Sequence, residues 1–161
     1  MNISKKTLLI TLASISISGC FSLVTFEPFE LVSVVDVHGL EKTVTYNSSR
    51  QWFSENFVTG ESVVNYENAN LGTIIGNGVS DVGTDPLGLI SYGIHYSLRV
   101  DAKEGKLKVT TKINKFTNTD VNGTYEVVRL SQDRIDDAKD SVNMMVGSLR
   151  LYVQESDKMN W

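Results

Sequence analysis

The chain has 161 residues, with 15 basic and 19 acidic side chains, a formal net charge of −4 and a single cysteine. Phosphate backbones draw their affinity for proteins from counterion release by Lys and Arg, so a chain of this sign is not expected to bind nucleic acid. One cysteine excludes an internal disulfide and any cysteine-rich metal cluster, which leaves the hydrophobic core of a single domain as the source of stability.

The first informative segment is residues 8–20, LLITLASISISGC, preceded by Lys5 and Lys6. A transmembrane helix needs about 20 apolar residues; the run from Thr7 to Ile17 is about half that and rich in Ser and Thr. A secretory peptide without lipidation would leave Cys20 as an unpaired thiol in an oxidising compartment. Ile17-Ser18-Gly19-Cys20 resembles the bacterial lipobox. That resemblance implies cleavage between Gly19 and Cys20, a thioether-linked diacylglycerol on Cys20 and a third acyl chain on its amine. Each buried methylene contributes about 0.8 kcal/mol, so three chains would anchor the protein stably. Removing residues 1–19 leaves 142 of the 161 and takes Lys5 and Lys6 with it, shifting the net charge from −4 to −6. Direct attraction to anionic headgroups is therefore disfavoured.

Residues 20–30 read as a lipidated tether ahead of one domain over 31–161. The stretch FSLVTFEPFE has Phe21, Phe26, Phe29 and a proline but neither a helical nor a strand period. Its aromatics either stay on the tether or pack on the domain, since three exposed Phe would be sticky. In the sorting logic that accompanies the lipobox, Phe21 in place of Asp after the cysteine implies the outer membrane, facing the periplasm.

Residues 31–37, LVSVVDV, read as a strand ended by His38-Gly39. Over 44–58, Tyr46, Ser49, Phe53 and Phe57 recur at three- and four-residue steps with Trp52 beside them, so a short amphipathic helix is expected. Ser48 with Gln51 fits a capping box, placing its start between Thr43 and Asn47, and Gly60 closes it. Strands follow at 62–66 and 72–79 around a polar turn at 67–70. Gly72, Gly76 and Gly78 in the second point to a bend or a close backbone approach.

From 90 to 100 the alternation is strict. Ile90, Tyr92, Ile94, Tyr96, Leu98 and Val100 share one face, with Ser91, Gly93, His95, Ser97 and Arg99 on the other. Leu107, Val109, Thr111 and Ile113 repeat it against Lys106, Lys108, Thr110 and Lys112. Keeping both apolar sets on one face requires an even loop. A four-residue loop 102–105, with Gly105 at positive φ and Val100 opposite Leu107, meets that condition. The sheet is antiparallel with one wet face.

Residues 118–123 form a turn, and 125–130 a short strand or extended lead-in. Ser131 is then placed to cap a long helix with Asp133, Asp136 and Asp137 in its opening turns. Its stripe is Ile135, Ala138, Val142, Met145, Leu149 and Tyr152, widened by Met144, Val146, Leu151 and Val153. The expected class is α+β, with a short helix after the first strand and a long C-terminal helix on the apolar face of a curved antiparallel sheet.

The order Gly39-Leu40-Glu41-Lys42, Tyr46, Trp52-Phe53, Phe57, Val63-Val64-Asn65-Tyr66, residues 72–78 (GTIIGNG) and Gly105-Lys106-Leu107-Lys108-Val109 resembles a bacterial family of exported domains of unknown function. Its fold is described as like that of the TATA-binding protein, in the manner of a helix grip. The resemblance runs from about Val34 to Phe116 and has no catalytic motif. Residues 80–88, SDVGTDPLG, depart from the pattern and read as an enlarged loop. The fold name implies no DNA binding, because function lies in sites rather than folds.

No enzyme, cofactor or metal is expected. His95 shares a strand face with Ser97, Arg99 and Asp101, but same-face residues stand about 6.5 Å apart and parallel, which is unsuited to a converging catalytic set. His38 has no visible partner, and Asp81 and Asp85 around Gly83 are too sparse for a calcium loop. Two surfaces remain. Arg99, Lys106, Lys108 and Lys112 make a basic stripe on the wet face, suited to an acidic partner or a glycan or serving only to discourage aggregation. The 80–88 loop is the other interaction candidate. Alternatively, Tyr92, Tyr96, Met145 and Tyr152 line a pocket for a small apolar ligand between sheet and long helix. The expected role is a lipid-anchored, non-enzymatic binding domain of the cell envelope.

Overall fold

A computed structural model describes residues 23–57 and 63–156. Cys20 with the lipobox-like residues 17–19, Phe21, and Gly60, expected to close the first helix, lie outside the described residues. The elements run β1 (Leu23–Thr25), β2 (Phe29–Asp36), α1 (Lys42–Asn56), β3 (Val63–Asn68), β4 (Thr73–Thr84), β5 (Ser91–Lys103), β6 (Lys106–Asp120), β7 (Gly123–Val127), β8 (Arg129–Ser131) and α2 (Gln132–Ser156). The main sheet is antiparallel in the order β2-β6-β5-β4-β3, with β7 joined to the end of β6 beyond β2. The chain is of the α+β class.

The alternation holds from Ile94 to Val100 and from Leu107 to Ile113, whereas Ile90 falls in the turn before β5 and Tyr92 is only half-buried. Ile94, Tyr96, Leu98 and Val100 are buried together with Leu107, Val109, Thr111 and Ile113. The loop parity holds but its length does not. Val100 faces Val109, Ala102 faces Leu107, and Lys103 faces Lys106, so the loop is the two residues Glu104 and Gly105. Gly105 takes φ +67 as expected. Both registers keep the same faces, so periodicity alone could not choose between them.

The glycines of β4 mark close approaches. A Cβ on Gly76 would sit 3.0 Å from the Phe53 ring and 3.1 Å from that of Phe57; one on Gly78 would lie 2.6 Å from the Tyr96 hydroxyl. Their bare backbone lets the aromatic face of α1 lie on the sheet. Trp52, Phe53 and Phe57 stack edge-on or tilted with centroids 4.7 to 6.0 Å apart, and Phe57 meets Tyr96 at 6.2 Å.

Helix α1 begins at Lys42, earlier than the supposed capping box, and Ser48 is interior to it. The hydroxyls of Thr45 and Ser49 donate to the carbonyls of Glu41 and Thr45, four residues back, which accommodates these poor helix formers. Ser48 and Trp52 reach Ser156 and Ser148, so α1 and α2 pack antiparallel. On α2 the buried stripe is Ala138, Val142, Val146, Leu149 and Val153. Ile135, Met145 and Tyr152 are only half-buried, while Met144 and Leu151 are exposed, so the stripe is narrower than the apolar pattern implied.

Two segments differ from expectation. The segment read as a tether is part of the fold from Leu23 onward: β1 pairs with β8 and Phe29 opens β2, while Phe26 packs edge-on against Phe116 at 5.0 Å, the second of the two arrangements expected for its aromatics. Nor is 80–88 an enlarged loop. Strand β4 continues to Thr84 through a register shift between Asp81 and Gly83, and only residues 85–90 turn. That turn is wrapped on the Asp85 carboxylate, which accepts the amides of Leu87, Leu89 and Ile90.

Candidate functional site

Both helices lie on one face of the sheet and leave the other bare. Strand register arranges the bare face in rows: Asp36, Lys106 and Lys103; then Val34, Lys108, Asp101 and Thr73; then Val32, Thr110 and Arg99; then Glu30, Lys112, Ser97 and Asn77. The first three rows border an open groove of about 540 Å³ lined by Val34, Leu71, Thr73, Arg99, Asp101, Lys103, Lys106 and Lys108. Val34 is 65% exposed and Leu71 is similarly bare, so the groove combines two apolar contacts with cations.

Arg99 donates from Nε to Asp101 Oδ2 at 2.8 Å and from its terminal nitrogen to Oδ1 at 2.9 Å. Thr73 Oγ1 adds a bond to the same carboxylate at 2.7 Å. Burial by itself would raise the Asp101 pKa. The hydrogen bonds from Arg99 and Thr73, with the charges of Arg99 and Lys108, outweigh it and hold the carboxyl below its ordinary range. Lys106 lies 3.9 Å from Asp36. The stripe is thus partly neutralised from within, and Lys108 is its most central cation.

The groove's rim is tied down. Val37 donates to the Gly105 carbonyl, Gly105 to that of Leu40, and Ala102 to that of Gly72, which itself sits at φ +73. Lys42 Nζ donates to the Asn70 carbonyl at 2.6 Å, fixing the β3–β4 turn that presents Leu71.

Three of the four expected cations, Arg99, Lys106 and Lys108, meet at this groove; Lys112 stands a row away, opposite Glu30 and Ser97. Sequence reasoning left Asp101 out of the stripe, although its position two residues after Arg99 puts both on one strand face. Exposed Val34 was also missed, because LVSVV reads as a buried run.

The four residues expected to line a ligand pocket are divided. Tyr96 and Met145 share a cleft of about 200 Å³ with Trp52, Phe57 and Ser148. Tyr92 lies under the Arg134 guanidinium, 3.5 Å from the ring centroid. Tyr152 donates to Glu55 at 2.6 Å, a bond that is the main reason its pKa is pushed up to about 12.

His95 occupies a separate hollow of about 370 Å³ toward the other end of the bare face, with Asp81, Gly93, Lys115, Thr117 and Glu126. Its strand neighbours point to other work: Ser97 is bonded to Asn77 and Asn114, and Arg99 to Asp101. His38 is exposed in the turn after β2. Among the described residues no group of three or more His, Cys, Asp or Glu is placed to hold a metal, and no helix is long and apolar enough to cross a membrane.

Residues 32–117 match the model of a domain of unknown function (DUF4468) with TBP-like fold. A TBP-like protein from Parabacteroides distasonis ATCC 8503 has a similar crystal structure, at TM-score 0.60 and 15% identity, covering 79% of this chain and 93% of that one. A second similar structure, a DUF4468 family protein from Bacteroides ovatus ATCC 8483, aligns at TM-score 0.48 and 19% identity over 60% of this chain. The match spans 59% of that protein's length. No curated protein matches the chain.

Proposed function

The chain belongs to this family of domains of unknown function with a TBP-like fold, and on that scaffold we propose a lipid-anchored envelope protein that binds a partner without catalysing a reaction. The lipobox-like Ile17-Ser18-Gly19-Cys20 supports the anchor, and Phe21 supports an outer-membrane location facing the periplasm. One observation carries the binding role: the groove on the bare face, where Lys108 and the Arg99–Asp101 pair flank exposed Val34 and Leu71. Apolar contacts ringed by cations fit an envelope protein that presents an acidic segment with an apolar anchor. The acidic balance of the domain argues against nucleic acid.

The interface reading is favoured over a carrier of apolar ligands. The Tyr96–Met145 cleft, about 200 Å³, falls below the roughly 300–1,000 Å³ of small-molecule pockets. A photo-cross-linking residue placed at Val34 or Lys108 in intact cells is expected to yield a discrete protein adduct that the same probe at exposed Met144 on α2 does not. Equal adducts from all three positions, or none from the groove, would refute the groove as the binding surface. Fractionation tests the anchor separately: Cys20→Ala should move the protein out of the membrane fraction.

A further inference from the structure

We propose that the end of the sheet made by the β4–β5 and β6–β7 turns is a bilayer-contact surface that seats the domain on zwitterionic lipid. This rests on the lipid-anchor reading of Cys20 and adds an orientation to it.

Three apolar side chains stand out at this end: Leu87 is 78% exposed, Leu89 62% and Val121 93%. They sit on neighbouring turns. Thr84 pairs with Ser91, Ser91 with Thr119, and Asp120 with Gly123, which brings residues 85–90 and 121–122 side by side at one edge of the molecule. The β4–β5 turn is ordered around the Asp85 carboxylate, so its backbone is occupied and its two leucines face outward.

The chain enters the fold at the same end. Leu23 pairs with Ser131, immediately before α2. The first turn of α2 carries Arg134, which stacks on Tyr92; Tyr92 pairs with Gly83 and Asn118, next to the two turns. Cys20 precedes Leu23 by three peptide units, which span at most about 11 Å between Cα atoms. An acylated Cys20 therefore holds this end against headgroups, and three bare aliphatic side chains lie where a bilayer would receive them. Asp81, Asp85, Asp120 and Asp133 outnumber Arg134 near the same end and disfavour an anionic surface, which selects zwitterionic headgroups. The Lys106 end of the sheet, with the cationic groove, then points away from the membrane.

The test uses the full lipidated chain in phosphatidylcholine vesicles. Acylation of Cys20 leaves an introduced thiol as the unique labelling site, so Leu87→Cys, Val121→Cys and, at the opposite end, Lys106→Cys each carry an environment-sensitive dye. Lipids with a quencher on the acyl chain are expected to quench the dyes at 87 and 121 several-fold and to leave the dye at 106 unchanged. If the chain floats with the vesicles and all three dyes respond alike, the contact is overturned while the anchor stands. Dyes at 87 and 121 that turn blue without being quenched by lipid would mean a second copy or a protein partner covers this end, which also overturns it. A chain that does not float overturns the anchor reading and this orientation with it.

Discussion

The two faces of the main sheet are built from the same strands and differ in what they carry. On the covered face, residues from β4, β5 and β6 interlock with α1 and α2, and the backbone itself approaches aromatic rings at Gly76 and Gly78. On the bare face, the intervening residues of the same strands form rows of cations, carboxylates and hydroxyls around a groove. The first arrangement is intolerant of volume change, because close-packed interiors have no slack. The second holds its shape by backbone ties and a few polar bonds, leaving side chains free to serve a partner. Substitutions should therefore sort by face.

The largest contrast comes from truncation. Phe53→Ala should cost about 3–5 kcal/mol by denaturant unfolding, whereas Val34→Ala on the bare face should stay within about 0.5 kcal/mol. A comparable loss at Val34 would mean that the bare face is covered in solution. Adding a methyl sharpens the same point. Gly78→Ala drives a Cβ to 2.6 Å from the Tyr96 hydroxyl and should cost about 1–3 kcal/mol. On the other face, Gly93→Ala places a Cβ 2.9 Å from the Thr117 hydroxyl and 3.6 Å from the Ser80 carbonyl, one tight contact against three at Gly78, and should cost less.

Smaller effects are expected from single polar groups. The folded-state pKa of Asp101 is depressed, so its stabilisation is fully present above the unfolded value of about 3.9 and is lost as pH falls through the lower folded value. Asp101→Asn should remove that segment of the acid limb and, since the Arg99 side of the pair is half-exposed to solvent, lower stability near neutrality by only about 0.2–1 kcal/mol. Urea midpoints followed from about pH 6 to pH 2 measure both. Smallest of all, Thr111 buries its hydroxyl on the covered face without a hydrogen-bond partner among the described residues. Thr111→Val should be neutral or stabilising by up to about 1 kcal/mol, and a clear loss of melting temperature would show a bond to water or an undescribed group.

How much of this the sequence discloses depends on whether a feature is local. The alternation from Ile94 to Ile113 is legible because a period of two repeats within a few residues. The β5–β6 turn was readable in parity but not in length, since both registers preserve the faces. Pairing of Leu23 with Ser131 joins residues 108 positions apart and leaves no local signature, so a docked segment read as a tether. Ser80 to Thr84 read as loop because Gly83 and Asp85 are turn formers, yet Gly83 serves a register shift inside β4. At the groove the cations were visible as a stripe. Their convergence with Asp101, Val34 and Leu71 was not, because that needs β2, β6, β5 and the β3–β4 turn placed side by side.

The ties at the groove's rim carry a thermodynamic consequence. Gly105 is bonded on both sides to the segment between β2 and α1, and Gly72 to Ala102, so the backbone beneath Lys106, Lys103 and Leu71 is fixed before anything arrives. Binding usually forfeits free energy to immobilise loops and side chains, and here the loop share is already settled during folding. If the proposed partner binds at this groove, association should consequently proceed with a small entropic penalty from the domain itself, leaving the partner's own flexibility to set how tightly the two hold.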